Sequence, residues 1–359
     1  MGKPVRVLIV DDSALIRQLL TTLLSSDPGI EVVGTADDPY AARERIKALN
    51  PDVITLDVEM PHMDGITFLR KIMTLRPMPV IMVSTLTQAG ADVTLEALEI
   101  GAVDFISKPS ADAAHAMPAL ASELQAKIKA AARTRMSARA AMTAPAVRKV
   151  ARSVRHTGKI VAIGASTGGV EALKTVLMDL PSDCPPIVIT QHMPPRFTAA
   201  FAQRLDRECP MAVSEAVDGD VIEPGHVYIA PGSHHLQVVK SGAGYRCALD
   251  DGPPVTGHRP SVDVLFRSVA RVVGRSAIGV ILTGMGKDGA DGLLELRKAG
   301  GLTIGQDEAS SLIYGMPQVA FDRGAVMRQC SLNQVADAIL DACEGKMGTQ
   351  ASHRMAQAV

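Results

Sequence analysis

The 359-residue chain has no tryptophan, and aromatic residues make up only 3% of it. That argues against a surface that stacks unpaired bases. A net charge of -1 supplies no basic field either, so no nucleic-acid partner is expected. No apolar run approaches the ~20 residues a bilayer-spanning helix needs, which excludes membrane insertion by a helix. The opening MGKPVRVLIVDDS carries too short an apolar segment for a secretory signal and enters a strand pattern at once. Cysteine is sparse: Cys184, Cys209, Cys247, Cys330 and Cys343 are odd in number and form no C-x-x-C pair. They read as small core residues of a reduced, cytoplasmic protein rather than as a disulfide or zinc framework. What is plentiful is ordinary core material, 47% hydrophobic against 21% charged. At this length two domains are expected.

Residues 1 to about 110 alternate between strand-like runs (VRVLIV, EVVGTA, DVITLDV, PVIMVS, VDFISK) and helix-length segments. Such alternation implies right-handed crossovers and a parallel sheet covered on both faces. Five strands point to a flavodoxin-like domain. From about Ala111 the chain turns Ala-rich, and between Leu124 and Lys159 it contains Lys and Arg but no Asp or Glu, the composition of a solvated tether. A second α/β domain follows, with strands at KIVAIGA, PPIVITQ, HVYIAPG, HLQVV, AIGVILTG and GLTIGQ and helices around 170–180, 196–207, 261–273 and 289–299. The expected layout is two doubly wound α/β domains: 1–125, a linker at 126–157, a Rossmann-like parallel-sheet domain at 158–345, and a tail at 346–359.

In an open parallel sheet, ligands bind at the carboxyl ends of the strands. In the first domain those ends carry Asp11 and Asp12, Asp57, Ser84, and Lys108 followed by Pro109. Three converging carboxylates repel one another unless a cation sits among them, and oxygen-only ligands suit Mg²⁺. Asp57 can then accept a phosphoryl group, with Lys108 pairing its charge and Ser84 donating a hydrogen bond. Taken singly, each residue has a plainer reading as a helix cap, a strand-end acid or a solvated charge. Five together on the expected edge argue against coincidence.

In the second domain, Gly164-Ala165-Ser166-Thr167-Gly168 fits G-x-S-x-G in a strand-to-helix turn. Such a turn cradles an anion as readily as it exposes a nucleophile. A serine nucleophile needs a base and an orienting acid. His192 and Asp288 follow strands that bring them to the same edge. Rivals stand beside them: His226, His234, His235 and above all His258 for the base, Asp263 and Asp291 for the acid. The chain order Ser, His, Asp differs from the Ser, Asp, His order of α/β-hydrolases, so that fold is not expected. The backbone N–H groups of Thr167 and Met285 sit in Gly-flanked loops suited to an oxyanion hole. Two other classes remain open: a nucleotide-binding domain using GASTGG, against which the missing GK[ST] counts, and a non-enzymatic signalling adaptor.

VLIVDDS, DVITLDVEMPHMDG, PVIMVST and DFISKP resemble the receiver domain of two-component response regulators over essentially residues 1–110. That resemblance implies phosphotransfer from a histidine kinase to Asp57 and Mg²⁺ held by Asp11, Asp12, Asp57 and the backbone carbonyl of Glu59. It also implies a cis Lys108–Pro109 bond. IGASTGGVEAL, QHMPPRFTAAFAQRL, PGHVYIAPGSHHL, HRPSVDVLF, ILTGMGKDGADGLLELRKAGG and TIGQDEASSLIYGMP resemble the catalytic domain of chemotaxis protein-glutamate methylesterases of the CheB type. This second resemblance implies a Ser166, His192, Asp288 triad with Met285 at the oxyanion hole, and because no cofactor motif appears in the sequence no hydrolase cofactor is expected. Its substrates would be glutamate γ-methyl esters on methylated chemoreceptor cytoplasmic domains, with a chemotaxis histidine kinase as phosphodonor. Some members of that family also deamidate receptor glutamines. The tether between domains motivates one more expectation, that the unphosphorylated receiver restrains the esterase and phosphorylation of Asp57 releases it.

Overall fold

A computed structural model describes residues 3–85, 87–108, 117–134 and 158–346, which fall into two compact units, Met1–Ser137 and Ala138–Val359. The first unit runs β1 (Val5–Val10), α1 (Ala14–Ser25), β2 (Ile30–Ala36), α2 (Pro39–Leu49), β3 (Val53–Asp57), α3 (Gly65–Leu75), β4 (Val80–Ser84), α4 (Gln88–Ile100), β5 (Asp104–Ser107) and α5 (Met117–Ala131). Its strands pair in parallel in the order β2-β1-β3-β4-β5. β3 and β4 are buried along their whole length, as strands covered by helices on both faces must be. Side chains of Ser13, Asp38, Asp64 and Thr87 accept first-turn N–H groups and start α1 to α4. Strand order reverses between β1 and β3, so the crevice at their carboxyl ends is the topological switch point.

α5 crosses the domain boundary expected at residue 125. Composition marks this stretch as Ala-rich and basic, but Leu124, Ile128 and Ala131 continue a buried stripe at helical spacing to the end of the helix. Most of the linker, the tail beyond Lys346 and Pro109 lie outside the described residues.

The second unit holds β6 (Ile160–Ala165), α6 (Gly169–Met178), β7 (Ile187–Gln191), α7 (Phe197–Glu208), β8 (Ala212–Glu215), β9 (His226–Ile229), β10 (His235–Ser241), β11 (Gly244–Asp250), α8 (Val262–Val272), β12 (Ala277–Ile281), α9 (Ala290–Lys298), β13 (Leu302–Gln306), α10 (Met316–Asp322), β14 (Arg328–Cys330) and α11 (Leu332–Cys343). Seven strands form one parallel sheet in the order β14-β13-β12-β6-β7-β9-β8. The HLQVV run, expected as a sheet strand, is instead β10, which pairs antiparallel with β11 in a separate hairpin. Its alternating burial is that of a ribbon with one face solvated, not of a strand covered on both sides.

α8 shows how local pattern sets the core. Val262, Leu265, Phe266 and Val269 recur at helical spacing and are fully buried, each contributing roughly 1.5–3 kcal/mol by leaving water. Among the described residues no helix is long and apolar enough to cross a membrane. All five cysteines are free. Burial pushes the thiols of Cys184 and Cys247 up to about 12 and those of Cys209 and Cys330 up to about 11. The thiolate is the reactive form. Native protein at pH 8 should therefore react with no more than about one equivalent of an aromatic disulfide within minutes and keep its activity, while denatured protein titrates all five.

Candidate active site

In the second unit the sheet changes direction around β6, whose neighbours are β12 and β7. Ser166 leaves β6, His192 leaves β7, and Asp288 lies in the loop after β12, so one switch-point edge collects all three. Ser166 is tied down by its backbone. Its N–H donates to Thr283 O at 3.0 Å, and its carbonyl accepts from Gly169 N–H at 2.7 Å and from Gln191 Nε2 at 3.0 Å. The His192 N–H donates to Ala165 O at 3.2 Å, coupling the loop after β7 to the strand that ends at the serine.

Two glycines permit this convergence. A Cβ on Gly164 would lie 2.1 Å from Val262 Cγ1, so only glycine lets the start of α8 come down onto β6. A Cβ on Gly284 would lie 2.8 Å from Ser166 Cβ, so the loop carrying Met285 packs directly against the serine.

The side chains form a relay. Ser166 Oγ is 3.1 Å from His192 Nδ1, and His192 Nε2 is 2.8 Å from Asp288 Oδ2. An ionised carboxylate only accepts hydrogen bonds, so Nε2 carries the proton and Nδ1 is left as the acceptor for the serine hydroxyl. The imidazole thus presents Nδ1, not Nε2, to the nucleophile. Asp288 stays ionised because of where it sits. Burial works to raise its pKa, but His192 and the Val262 N–H hold it well below the usual carboxylate range. Its carboxylate occupies the N-terminus of α8: Val262 N–H donates to Oδ2 at 2.7 Å, and Ser261 Oγ and Asp263 N–H donate to Oδ1 at 2.8 and 3.2 Å. Unpaired N–H groups and the helix dipole both favour an anion there.

Thr167 is buried and Met285 half-buried in the loops on either side of Ser166. Thr283 Oγ1 donates to Thr167 O at 3.0 Å and accepts from Ile313 N–H at 3.0 Å, which laces these loops together. Among the described residues the Met285 N–H has no hydrogen-bond partner, a donor that an oxyanion beside Ser166 could satisfy.

The rival residues are engaged elsewhere. His235 is fully buried, accepting from Ser261 N–H and reaching Pro253 O, a structural clasp. His226 bonds Ser214 and stacks on Tyr228, and His234 bonds Ser233. Asp291 pairs with Arg323 at the surface, and Asp263 accepts from Gly292 N–H. His258 alone among them reaches the site: its ring stacks on His192, and a ring nitrogen lies within 4.8 Å of an Asp288 carboxylate oxygen.

In the first unit Asp11 and Asp57 are buried at the ends of β1 and β3, and Asp12 is exposed beside them. Lys108 Nζ lies 3.2 Å from Asp11 Oδ2 and 2.8 Å from Asp57 Oδ2, one ammonium shared between two buried carboxylates. Burial pushes Asp57 up to about 6, with Asp11 adding to the rise and Lys108 opposing it. Asp11 is raised too, again chiefly by burial. One ammonium does not balance three carboxylates. Ligand oxygens of Asp11, Asp12 and Asp57 lie within 4.8 Å of one another, so the donor set fits a hard divalent cation. Glu59 is exposed, and its N–H reaches Asp57 Oδ1 at 3.4 Å. An open cleft of about 810 Å³, lined by Asp12, Glu59, Met60 and Gly90, gives access from solvent. Ser84 follows Val83, the register partner of Asp57, and its hydroxyl accepts from Thr94 Oγ1 at 2.8 Å on α4.

These geometries define a serine hydrolase unit joined to a receiver unit. Family descriptions agree part by part: residues 7–117 match the response regulator receiver domain and residues 161–339 match CheB methylesterase. A protein-glutamate methylesterase/protein-glutamine glutaminase 1 of Caulobacter vibrioides is 62% identical over 94% of this chain and 97% of its own length. One from Xanthomonas campestris pv. campestris is 55% identical with the same coverage. The CheB methylesterase catalytic domain of Thermotoga maritima, a crystal structure, superposes with a TM-score of 0.50 at 38% identity, covering 51% of this chain and 97% of that domain. The chain belongs to the protein-glutamate methylesterase/protein-glutamine glutaminase family.

Proposed function

We propose that this chain hydrolyses glutamate γ-methyl esters on the cytoplasmic domains of chemoreceptors, releasing methanol, and deamidates receptor glutamines by the same steps with ammonia as the leaving group. The observation that carries the reading is the Ser166–His192–Asp288 relay at 3.1 and 2.8 Å. Ser166 Oγ attacks the ester carbonyl while His192 Nδ1 takes its proton. The Thr167 and Met285 N–H groups receive the oxyanion. Collapse expels methoxide, which leaves as methanol with the proton from Nδ1. Water then attacks the acyl-serine, gives its proton to Nδ1, and the glutamate carboxylate departs as Ser166 is reprotonated. Asp288 holds the tautomer and stabilises the transient imidazolium. Chain residues and water supply every proton in this sequence, which needs no hydrolase cofactor.

Residues 158–345 form the esterase in this reading, and the receiver before the tether regulates it in the cytoplasm. A chemotaxis histidine kinase supplies the phosphoryl group to Asp57. Asp11, Asp12, Asp57 and the Glu59 carbonyl would hold Mg²⁺, which supplies positive charge to the incoming phosphoryl oxygens. Lys108 pairs with the phosphorylated carboxylate, and Ser84 turns from Thr94 to the phosphoryl oxygens. Phosphorylation raises the esterase rate.

Methanol release from methylated chemoreceptor membranes tests the reading, comparing wild type with Ser166→Ala with and without a small-molecule phosphodonor. Release that requires Ser166 and rises with phosphodonor is the expected result. Release equal to the Ser166→Ala background in both conditions would return the Gly164–Gly169 turn to the status of a binding loop.

A further inference from the structure

We propose that His258 is a positioning residue for the ester hydrolysis, clamping the His192 imidazole in the plane that Ser166 and Asp288 share. The inference rests on the triad reading above. The two rings stack face to face, with centroids 3.9 Å apart and planes 7° from parallel. His258 is delivered by a tight turn. Val255 and His258 exchange both backbone hydrogen bonds at 3.0 Å, and the two central residues, Thr256 and Gly257, have φ of 52° and 85°. Positive φ at both centres is the type I′ pattern. A β-branched threonine is unfavourable there, so the surroundings hold the turn. His258 Nδ1–H donates to Thr256 O at 3.1 Å, and the Arg259 guanidinium donates to Asp251 O at 2.7 Å and Gly252 O at 3.1 Å.

The same segment continues through Ser261 and Val262, which donate to Asp288. Residues 255–262 therefore hold two members of the relay at once, the face of the base and the carboxylate of the acid. A clamp is useful because the final torsion of a histidine side chain is broad. Rotation about Cβ–Cγ would lengthen the bonds at Nδ1 and Nε2 together, and a flat ring at 3.9 Å resists it. When His192 becomes imidazolium, that ring also offers a π face to the cation and excludes water from one side.

The test uses the full-length protein with two readouts: methanol-release kinetics, and the rate at which a fluorophosphonate modifies Ser166, which needs the base but not the receptor. His258→Ala should lower kcat about tenfold with KM within about twofold, and slow fluorophosphonate modification by the same factor; tenfold corresponds to about 1.4 kcal/mol. His258→Phe keeps a flat ring and should recover most of both rates. An unchanged kcat in His258→Ala overturns the proposal. So does equal loss in the Phe and Ala variants at wild-type melting temperature. A loss in ester hydrolysis alone would place His258 on the substrate, and a fall of both variants to the Ser166→Ala level would make His258 the base; either outcome overturns the clamp. If Ser166→Ala or His192→Ala kept wild-type rates, the triad reading itself would fail, whatever His258 does.

Discussion

Replacing Asp288 by asparagine should lower methanol release by about 10⁴-fold, the scale for loss of the orienting carboxylate in a serine triad, and should also lower the melting temperature of the second unit. Both effects follow from the donors around the carboxylate. Oδ2 accepts from Val262 N–H and His192 Nε2, and Oδ1 accepts from Ser261 Oγ and Asp263 N–H. An amide can place oxygen on one side only. With its NH₂ toward His192, it meets the Val262 N–H head on and forces the imidazole to carry its proton on Nδ1, where Ser166 needs an acceptor. With its NH₂ on the other side, it confronts the Asp263 N–H and the Ser261 hydroxyl. Either orientation leaves a buried donor unsatisfied at a cost of about 1–3 kcal/mol, or several degrees of melting temperature. Ser166→Ala should lose as much activity or more without that thermal penalty, because its hydroxyl makes only the bond to His192. Adding Asp288→Asn to Ser166→Ala should cost no further activity, since residues that act as one unit are not additive. A full second loss in the double variant would mean that Asp288 acts apart from the serine. Steady-state methanol release and scanning calorimetry on the three variants supply the comparison.

The two sheets were legible in the sequence because fully buried parallel strands read as unbroken apolar runs. VITLD, VIMVS, IVAIGA and AIGVI fall within one to three residues of the runs read from sequence. Elements that lack such a run were missed. β8 is a four-residue edge strand with an exposed first residue, β14 has three residues, and α10 is a seven-residue helix opened by Met316-Pro317. The boundary expected at residue 125 falls inside α5 for a different reason. Composition is a segment average, whereas the helix is set by three buried positions within it.

Site residues were placed by strand ends, which locate a residue on an edge but say nothing of how its side chain is held. That is why Ser166, His192 and Asp288 were readable while the residues that orient them were not. Thr283, Gln191 and Gln306 are buried polar residues inside or beside strands, where a sequence offers no clue to their partners. Ser261 caps α8, its Oγ accepting from the Val264 N–H. That its hydroxyl proton serves Asp288, 27 residues away, is a tertiary fact. The same limit applies to Ser84, whose strand end was evident and whose orientation toward Thr94 was not.

Asp57→Asn should abolish stimulation by a phosphodonor completely while leaving the unstimulated esterase active, because an amide oxygen is no nucleophile toward phosphorus. The same substitution should flatten the pH dependence of receiver stability, and the sign can be worked out. Burial raises Asp57 from its ordinary 3.8 to about 6, and Asp11 is raised as well. Between about pH 4 and 6 the folded receiver thus holds more protons than the unfolded chain. The contribution of Asp57 and Asp11 to stability is fullest below about pH 4 and is lost as pH rises through 6. Asp27 and Asp64 are shifted the other way: hydrogen bonds from Lys129 and Gly29 lower Asp27, and the Thr67 N–H lowers Asp64. Their contribution is complete above about pH 4 and leaves that window to Asp57 and Asp11. In EDTA, wild-type receiver should melt several degrees lower at pH 7 than at pH 5, and Asp57→Asn should remove most of that difference. Mg²⁺ should raise the wild-type melting temperature at pH 7 and do little for Asp57→Asn, since binding to the folded state alone stabilises it in proportion to occupancy. A wild-type receiver that grew more stable from pH 5 to pH 7 in EDTA would show that Lys108 alone balances the two buried carboxylates, and the case for a divalent cation at that edge would lose its electrostatic basis.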